Sequence, residues 1–229
     1  VNSTADNRIH HAVIEYADTP NGMIGLDDSR LELDHVVFDH TEQRRIRAKD
    51  SELVIRNSIF TDIVSDSPPT GEGQSQHIWV DGVPAGGQLI FENNRFGRTA
   101  GESDSVRVLA ARQPVKLPQV LNNLFVGGGG GALDWQGDAY IEGNRFVDFV
   151  HDPADEDPPV LNTISASAGD IYVVRNVFDQ VEHAALVSED ASVTFINNTV
   201  VSHQAALYFD LPGQTTGPGR GARVVGSIF

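Results

Sequence analysis

The chain has 229 residues, which is enough for one large domain with a buried core. Its 32 acidic and 16 basic residues give a net charge of −16, and the resulting field repels nucleic acid and anionic membranes. Disulfides and thiolate metal sites are excluded because there is no cysteine. A membrane-spanning helix is excluded because no apolar run reaches roughly 18 residues.

A seven-residue pattern ending in Asn-x-Phe recurs along the chain. Its copies are VIRNSIF (54–60), IFENNRF (90–96), QVLNNLF (119–125), YIEGNRF (140–146), YVVRNVF (172–178), TFINNTV (194–200) and RVVGSIF (223–229), with weaker copies at 10–16 and 32–38. The shortest spacings between copies are 21 and 22 residues, and the longer ones indicate insertions. Such self-similarity is the signature of a repeat architecture.

Short strands are predicted in front of the pattern in each repeat. They cover 23–27, 45–50, 78–82, 106–110, 132–136, 164–167, 185–190 and 206–210. The alternation and the Val, Ile and Phe content favour strands over helices. A period near 22 accommodates three short strands and three corners, since a strand residue spans about 3.3 Å. The predicted fold is therefore all-β, a right-handed single-stranded parallel β-helix (a solenoid) of about eight rungs.

Insertions lengthen the repeats mainly at one corner, after the Phe. They are the segments 61–76, 97–105, 126–131 and 147–159, and two others lie at the next corner, 83–88 and 211–222. Repeat proteins often place insertions on their binding face. Residues 1–229 are predicted to form a single domain. We expect it to be part of a larger protein because neither end shows a cap over the strand edges.

The repeated Asn and Phe residues are predicted to be architectural. They are Asn94, Asn123, Asn144, Asn176 and Asn198, with Ser58 and Ser227 as substitutes, and Phe60, Phe96, Phe125, Phe146 and Phe178. Asn tolerates left-handed backbone geometry, and stacked Asn residues form amide ladders. We expect the Phe side chains to stack inside as an aromatic column.

The segments VIRNSIF, YIEGNRF and TFINNTV resemble repeats of the pectate-lyase-like superfamily of β-helix proteins, over about residues 9–229. GALDWQGDAYIEGNRF and HAVIEYA are most similar to segments of large secreted bacterial proteins of unassigned function. The superfamily includes lyases, glycoside hydrolases, phage tailspikes and adhesins. The resemblance implies a secreted or cell-surface bacterial location, and a site on the first-strand sheet between the inserted loops.

Alternation along the first strands separates core from surface. The inward set is Ile24, Ile46, Ile78, Leu133 and Trp135. Basic candidates on the outward face are Arg45, Arg47, Lys49 and Arg107. The resemblance implies that such side chains serve a lyase by neutralising a uronate and removing its C5 proton. A solvated strand face with Arg–Asp pairs is the structural alternative.

The remaining outward residues are candidates for ligand binding. They are Trp79, Asp81, Asp134, Gln136, Glu189, Tyr208 and Asp210. Aromatic rings can stack on sugars. Carboxylates on neighbouring strands lie about 4.8 Å apart, close to the roughly 5–9.5 Å needed for glycoside hydrolysis. The dense Asp pair that the resemblance implies for a hydrolase is missing, because GGGGALDW keeps only Asp134.

An acidic loop, HDPADEDPP, is the candidate metal site. Its ligands would be Asp152, Asp155, Glu156 and Asp157, whose oxygen atoms suit Ca²⁺. A solvated loop is the alternative, since the segment does not match an EF-hand.

The sequence therefore favours an extracellular, noncatalytic module that binds a glycan or surface polymer, or serves as a scaffold. Its expected partners are a carbohydrate polymer or neighbouring domains, without nucleic acid or membrane insertion. One alternative is a polysaccharide lyase that acts on an acidic polymer with Arg or Lys and Ca²⁺. Another is a trimeric spike of the phage-tailspike or adhesin type.

Overall fold

Strands account for all the regular structure of the chain that is described. The computed structural model describes residues 3–16, 22–63, 75–101, 103–111, 116–128, 130–151, 161–209 and 220–229. The strands are β1 (Ser3–Glu15), β2 (Ile24–Asp27), β3 (Ser29–Asp39), β4 (Ile46–Lys49), β5 (Glu52–Arg56), β6 (Ile59–Phe60), β7 (Ile78–Asp81), β8 (Leu89–Glu92), β9 (Arg95–Phe96), β10 (Val106–Ala111), β11 (Gln119–Leu121), β12 (Leu124–Val126), β13 (Leu133–Gly137), β14 (Ala139–Glu142), β15 (Arg145–Phe149), β16 (Asn162–Val174), β17 (Val177–Ile196), β18 (Thr199–Phe209) and β19 (Gly221–Val225). These ranges contain no helix, and hence none able to span a membrane.

The strands pair in parallel with equivalent strands of the neighbouring repeat. Strand β7 lies between β4 and β10, strand β8 between β5 and β11, and strand β9 between β6 and β12. The register matches like with like, for example Ile46 with Ile78 and Phe60 with Phe96. The recurring pattern thus predicts correctly which segments become neighbours.

The overall architecture corrects the prediction of an open solenoid. The chain is all-β, as expected, but its parallel strands close into an 11-stranded barrel with further strands outside it. A parallel β-helix of about eight rungs is therefore wrong as a description. The reason is that the repeat spacing predicts which strands are parallel neighbours, whereas closure depends on how the strands bend and tilt around the interior.

Several long strands bend where the backbone enters the left-handed region. Strand β16 spans 13 residues and contains Gly169 at φ 82°, and β17 spans 20 residues and contains Gln180 at 56° and Glu189 at 49°. At such a φ the chain changes direction while the hydrogen-bonded ladder resumes on the other side. The sequence predicts separate strands joined by corners in this part of the chain. In the structure these corners are bends within single long strands.

An aromatic column runs through the core, as predicted. The rings of Phe38, Phe60, Phe96, Phe125, Phe146 and Phe178 stack in sequence with centroid separations of 4.7 to 5.1 Å, and all six residues are fully buried. Near-parallel rings at this spacing are in van der Waals contact and pack the interior. The column is continued by Phe195, whose ring lies 5.8 Å from that of Phe178.

The predicted Asn ladder is also present. The Nδ2 atom of Asn94 donates to Oδ1 of Asn123 at 3.0 Å, and Asn123 donates in the same way to Asn144 at 2.9 Å. Asn144, Asn176 and Asn198 extend the ladder at 3.0 and 3.1 Å. Each Oδ1 also accepts a backbone N–H from the neighbouring repeat. Each step of the ladder therefore contains two hydrogen bonds, one from a side-chain amide and one from a backbone N–H, to the same Asn oxygen.

The predicted left-handed geometry, however, belongs to the residue before each ladder position. Positive φ angles of 51 to 56° occur at Asn57, Asn93, Asn122, Arg175 and Asn197, and Gly143, which precedes Asn144, has a φ of 67°. These residues make the turn toward solvent. The following Asn must point inward to reach the next backbone, so the two roles fall on adjacent residues. Assigning left-handed geometry to the ladder Asn was therefore wrong.

Candidate functional site

The first-strand face is a row of outward side chains that crosses the sheet perpendicular to its strands. Arg47, Trp79, Arg107 and Asp134 are register partners on β4, β7, β10 and β13. The row continues through Ser165 and Leu186 to Tyr208. Five strand spacings separate Trp79 from Tyr208, about 24 Å at about 4.8 Å per spacing.

Trp79 is the centre of a cationic cluster at one end of this face. The guanidinium carbon of Arg44 lies 4.2 Å from the indole ring centroid, and those of Arg107 and Arg47 lie at 5.6 and 5.9 Å. We call Arg44, Arg47, Arg107 and Trp79 the arginine–tryptophan cluster. Guanidinium groups within about 6 Å of an aromatic face are attracted by its negative quadrupole. The indole therefore helps to hold three like charges together.

Arg44 is the buried member of the cluster. It donates a hydrogen bond from Nη2 to Oε1 of Gln76 at 3.3 Å. Burial, followed by repulsion from Arg47 and Arg107, lowers the pKa of Arg44 to about 10. The guanidinium remains charged at neutral pH. An anion placed between these groups would relieve the repulsion that lowers this pKa.

An ion pair borders the cluster on its other side. Arg107 Nε lies 2.9 Å from Asp134 Oδ2, without the alignment of a hydrogen bond. Both side chains are partly exposed, 29% and 21%. Burial raises the pKa of Asp134; Arg107 opposes the shift and Glu189 adds to it. Arg107 thus stabilises the ionised form of Asp134 against the effect of burial.

Asp104 supplies a second carboxyl group beside the same arginine. Its Oδ1 accepts a hydrogen bond from the backbone N–H of Gly131 at 2.8 Å. Burial, followed by repulsion from Asp134, raises the pKa of Asp104 to about 6, against the pull of the Gly131 bond and Arg107. Two carboxyl groups with raised pKa values therefore compete for one cation.

The far end of the first-strand face is aromatic. The ring of Tyr208 stacks on that of His183 with centroids 4.9 Å apart and an interplanar angle of 14°. His183 is buried, which lowers its pKa, and its Nδ1 donates to Oδ1 of Asn162 at 3.0 Å. The neutral imidazole therefore fixes the orientation of the tyrosine ring.

Arg45 does not lie on the first-strand face, contrary to prediction. It is fully buried, and its guanidinium bonds Nδ1 of His77 at 2.9 Å and Oγ1 of Thr61 at 3.2 Å. The Nε2 atom of His77 donates to the carbonyl of Gly97 at 2.8 Å, and burial holds the pKa of His77 well below its usual range. Strand β4 begins only at Ile46, so alternation does not extend back to the corner residue before it.

The other predicted face residues lie mostly where alternation places them. Lys49 and Asp81 are register partners in the row next to Trp79. Gln136 is a partner of Ala168 at a register shift, and Glu189 is exposed on the bend of β17. Asp210 lies outside the described residues. The predicted inward residues Ile46, Ile78, Leu133 and Trp135 are fully buried, as expected, whereas Ile24 is only partly buried.

The predicted calcium ligands cannot be placed. Asp152, Asp155, Glu156 and Asp157 lie outside the described residues. Within the described ranges, no group of three His, Asp or Glu residues converges as a metal site. The Ca²⁺ site thus stays a prediction.

Sequence reasoning missed two members of the site, Arg44 and Asp104. Arg44 precedes β4, and Asp104 lies in the insertion before β10. For Asp104 the signal was its place in an insertion, since the insertions are predicted to border the first-strand face; the sequence carries no such signal for Arg44.

Comparison with known proteins found no match. No protein-family model, curated protein or solved structure matches the chain. The resemblance to the pectate-lyase-like superfamily remains a prediction.

Proposed function

We propose that the chain is a noncatalytic module that binds an anionic polysaccharide across the first-strand face. The observation that carries this proposal is the arginine–tryptophan cluster, in which three guanidinium groups surround one indole on a protein of net charge −16. The guanidinium groups repel one another, and this repulsion contributes to the lowered pKa of Arg44. An anionic ligand bound among them would relieve that repulsion.

The chemistry of the cluster suits an acidic sugar. An indole ring offers a flat apolar surface to the C–H groups of a pyranose. A guanidinium offers a planar fork of donors that matches carboxylate or sulfate oxygens, which makes arginine better than lysine for this recognition. Arg47 and Arg107 flank Trp79 in register, so a ring over the indole would have a cation on either side.

The length of the face favours a polymer over a monosaccharide. From the cluster the row runs through Asp134 and Ser165 to Tyr208, about 24 Å at about 4.8 Å per strand. Its far end is a second aromatic ring, held by His183. A sugar chain lying perpendicular to the strands would contact both ends. Since such polymers occur mainly outside cells, we extend the proposal to a secreted or cell-surface location.

Isothermal titration calorimetry with polygalacturonate, alginate and neutral dextran tests the proposal. The wild-type chain should bind one or both acidic polymers more tightly than dextran, and added salt should weaken that binding. Arg47→Ala and Trp79→Ala should each reduce affinity on the order of tenfold, since each removes one principal contact. Arg145→Ala is the matched control, because Arg145 lies on β15 and pairs with Asp179.

Three results would contradict the proposal. If neutral dextran bound as tightly as the acidic polymers, the arginines would not be responsible for binding. An equal loss in Arg145→Ala would point to net charge alone. New absorbance from unsaturated uronates during incubation would replace the noncatalytic role with that of a polysaccharide lyase.

A further inference from the structure

We propose that Asp134 is a specificity-determining residue, which competes with the anionic group of the ligand for Arg107. The inference rests on the proposed function and deepens it. It states that the first-strand face carries its own internal anion, and that the ligand must displace this anion from the cation.

The geometry places Asp134 where a ligand carboxylate would bind. Asp134 and Arg107 are register partners on β13 and β10, and the Asp134 oxygen is 2.9 Å from Arg107 Nε. The same guanidinium lies 5.6 Å from the centroid of Trp79. Arg107 therefore stands between an internal carboxylate and the ring on which we place the sugar. For Arg107 to bind the ligand anion with its full charge, its ion pair with Asp134 must weaken.

The surroundings of the pair make this competition close. The charged groups that face it are Arg44 and Arg47 across Trp79, Asp104 from the loop before β10, and Glu189 from β17. Lys49 and Asp81 lie in the neighbouring row of the sheet and pair in register with each other. Strand β16 contributes the uncharged Ser165. The pair thus lies among both carboxyl groups and cations, so that a change in the charge of one neighbour shifts the competition for Arg107.

The competition should be relieved as the pH falls. Burial raises the pKa of Asp104 to about 6 and also raises that of Asp134. Between about pH 7.5 and about pH 5, Asp104 gains a proton, while most uronate carboxylates stay ionised. The neighbouring carboxyl groups then neutralise less of the charge of Arg107, which leaves more of it available to the ligand. Acidic polysaccharide should therefore bind more tightly in mildly acidic solution.

Calorimetric titration of polygalacturonate into the whole chain at about pH 5 and about pH 7.5 tests this inference. The wild-type chain should bind on the order of tenfold more tightly at the lower pH. Asp134→Asn should bind tightly at both pH values, because its amide cannot neutralise Arg107. Asp104→Asn should show a smaller pH effect than the wild type. Asp81→Asn is the matched control, since it removes one charge from the neighbouring row of the same sheet.

The outcomes separate this inference from the proposed function. If all proteins bind but Asp134→Asn keeps the wild-type affinity and pH dependence, the competition is disproved and the binding face stands. If Asp81→Asn reproduces the gain, net charge explains it and the competition is again disproved. If no protein binds at either pH, the binding face fails and the competition fails with it. Circular dichroism of each variant confirms that it is folded.

Discussion

The Asn ladder and the first-strand face are both polar strips that run across the strands, yet they differ in residue type, burial and bonding. Asn94, Asn123 and Asn144 repeat one residue type, are buried, and bond one another at 2.9 to 3.0 Å. The face changes residue type at each strand, from Arg47 to Trp79 to Arg107. The repeated asparagines thus bond one another, whereas the varied residues of the face bring like charges together.

This difference separates stability from function. A buried amide that bonds on both sides contributes to folding, because leaving its partners unsatisfied is costly. We expect the three guanidinium groups around Trp79 to contribute less, because repulsion among them offsets their attraction to the indole ring. Substitutions in the repeated regions should therefore affect unfolding, and those in the face should affect binding.

Phe125→Ala should have the largest effect on stability. The Phe125 ring is fully buried between Phe96 at 4.7 Å and Phe146 at 5.1 Å. Truncation leaves a cavity in the middle of the aromatic column and should lower the free energy of unfolding by about 3–5 kcal/mol. Urea denaturation followed by circular dichroism measures it. Phe125→Leu should cost clearly less because it refills part of the space. Equal losses would show that the stacking of rings, not the volume, matters.

Asn123→Ala should come next. Its side chain donates to the carbonyl of Phe91 and to Asn144, and accepts from the backbone and side chain of Asn94. Losing these bonds in a buried site should cost about 2–4 kcal/mol in the same denaturation experiment. Asn123→Ser should lose about half as much, since Ser58 already bonds Val36 and Arg56 at the end of the ladder. A loss below about 1 kcal/mol for the Ala variant would contradict a structural ladder.

The neighbours of each strand could be predicted from the sequence, because the pattern repeats with its hydrophobic phase intact. Phe60 pairs with Phe96, and Asn94 bonds Asn123, as the alignment of copies requires. The closed barrel could not be predicted, since closure depends on strand tilt and on bends such as those at Gly169 and Glu189. The type of residue at such a position does not reveal how sharply the strand bends there.

The candidate site was partly predictable for a related reason. Alternation placed Arg47, Trp79 and Arg107 on the outer face because they lie inside strands. It misplaced Arg45 and gave no position for Asp104, since both lie outside the strands, where side-chain direction depends on tertiary contacts. The direction of the Arg45 side chain depends on its contact with His77, and that of Asp104 on its hydrogen bond with the backbone of Gly131.

The glycine run at 127–131 shows the same limit. A Cβ atom on Gly127 would lie 1.8 Å from the carbonyl oxygen of Asp148, and one on Gly128 would lie 2.5 Å from the backbone nitrogen of Thr99. Close approach of neighbouring backbones explains these two glycines. The repeat pattern marked 126–131 as an insertion at a corner but could not reveal which chain segments would pack there.

Asp104→Asn should stabilise the protein above neutral pH. The pKa of Asp104 is about 6 in the folded chain and 3.8 as the ordinary value, so the native state holds more protons between these limits. Stability then falls as the pH rises through this window. The variant should gain about 1–2 kcal/mol at pH 7.5, after allowance for partial exposure, and nothing below about pH 4. Thermal unfolding from pH 4 to 8 measures this, with Asp81→Asn as control. A constant difference across the range would mean that Asp104 is not the titrating group.

Arg47→Ala should have the smallest effect on stability, and it sharpens the contrast between the two regions most. Arg47 is partly exposed, and its guanidinium is 5.9 Å from the Trp79 centroid among like charges. Its loss should change the free energy of unfolding by less than about 0.5 kcal/mol, because weak attraction to the ring and repulsion from Arg44 and Arg107 largely cancel. The same variant should weaken binding to an acidic polysaccharide on the order of tenfold. Urea denaturation and calorimetry on one preparation compare the two quantities. A large loss of stability with unchanged binding would make the arginine–tryptophan cluster a structural element like the Asn ladder, and would remove the contrast on which the proposed function depends.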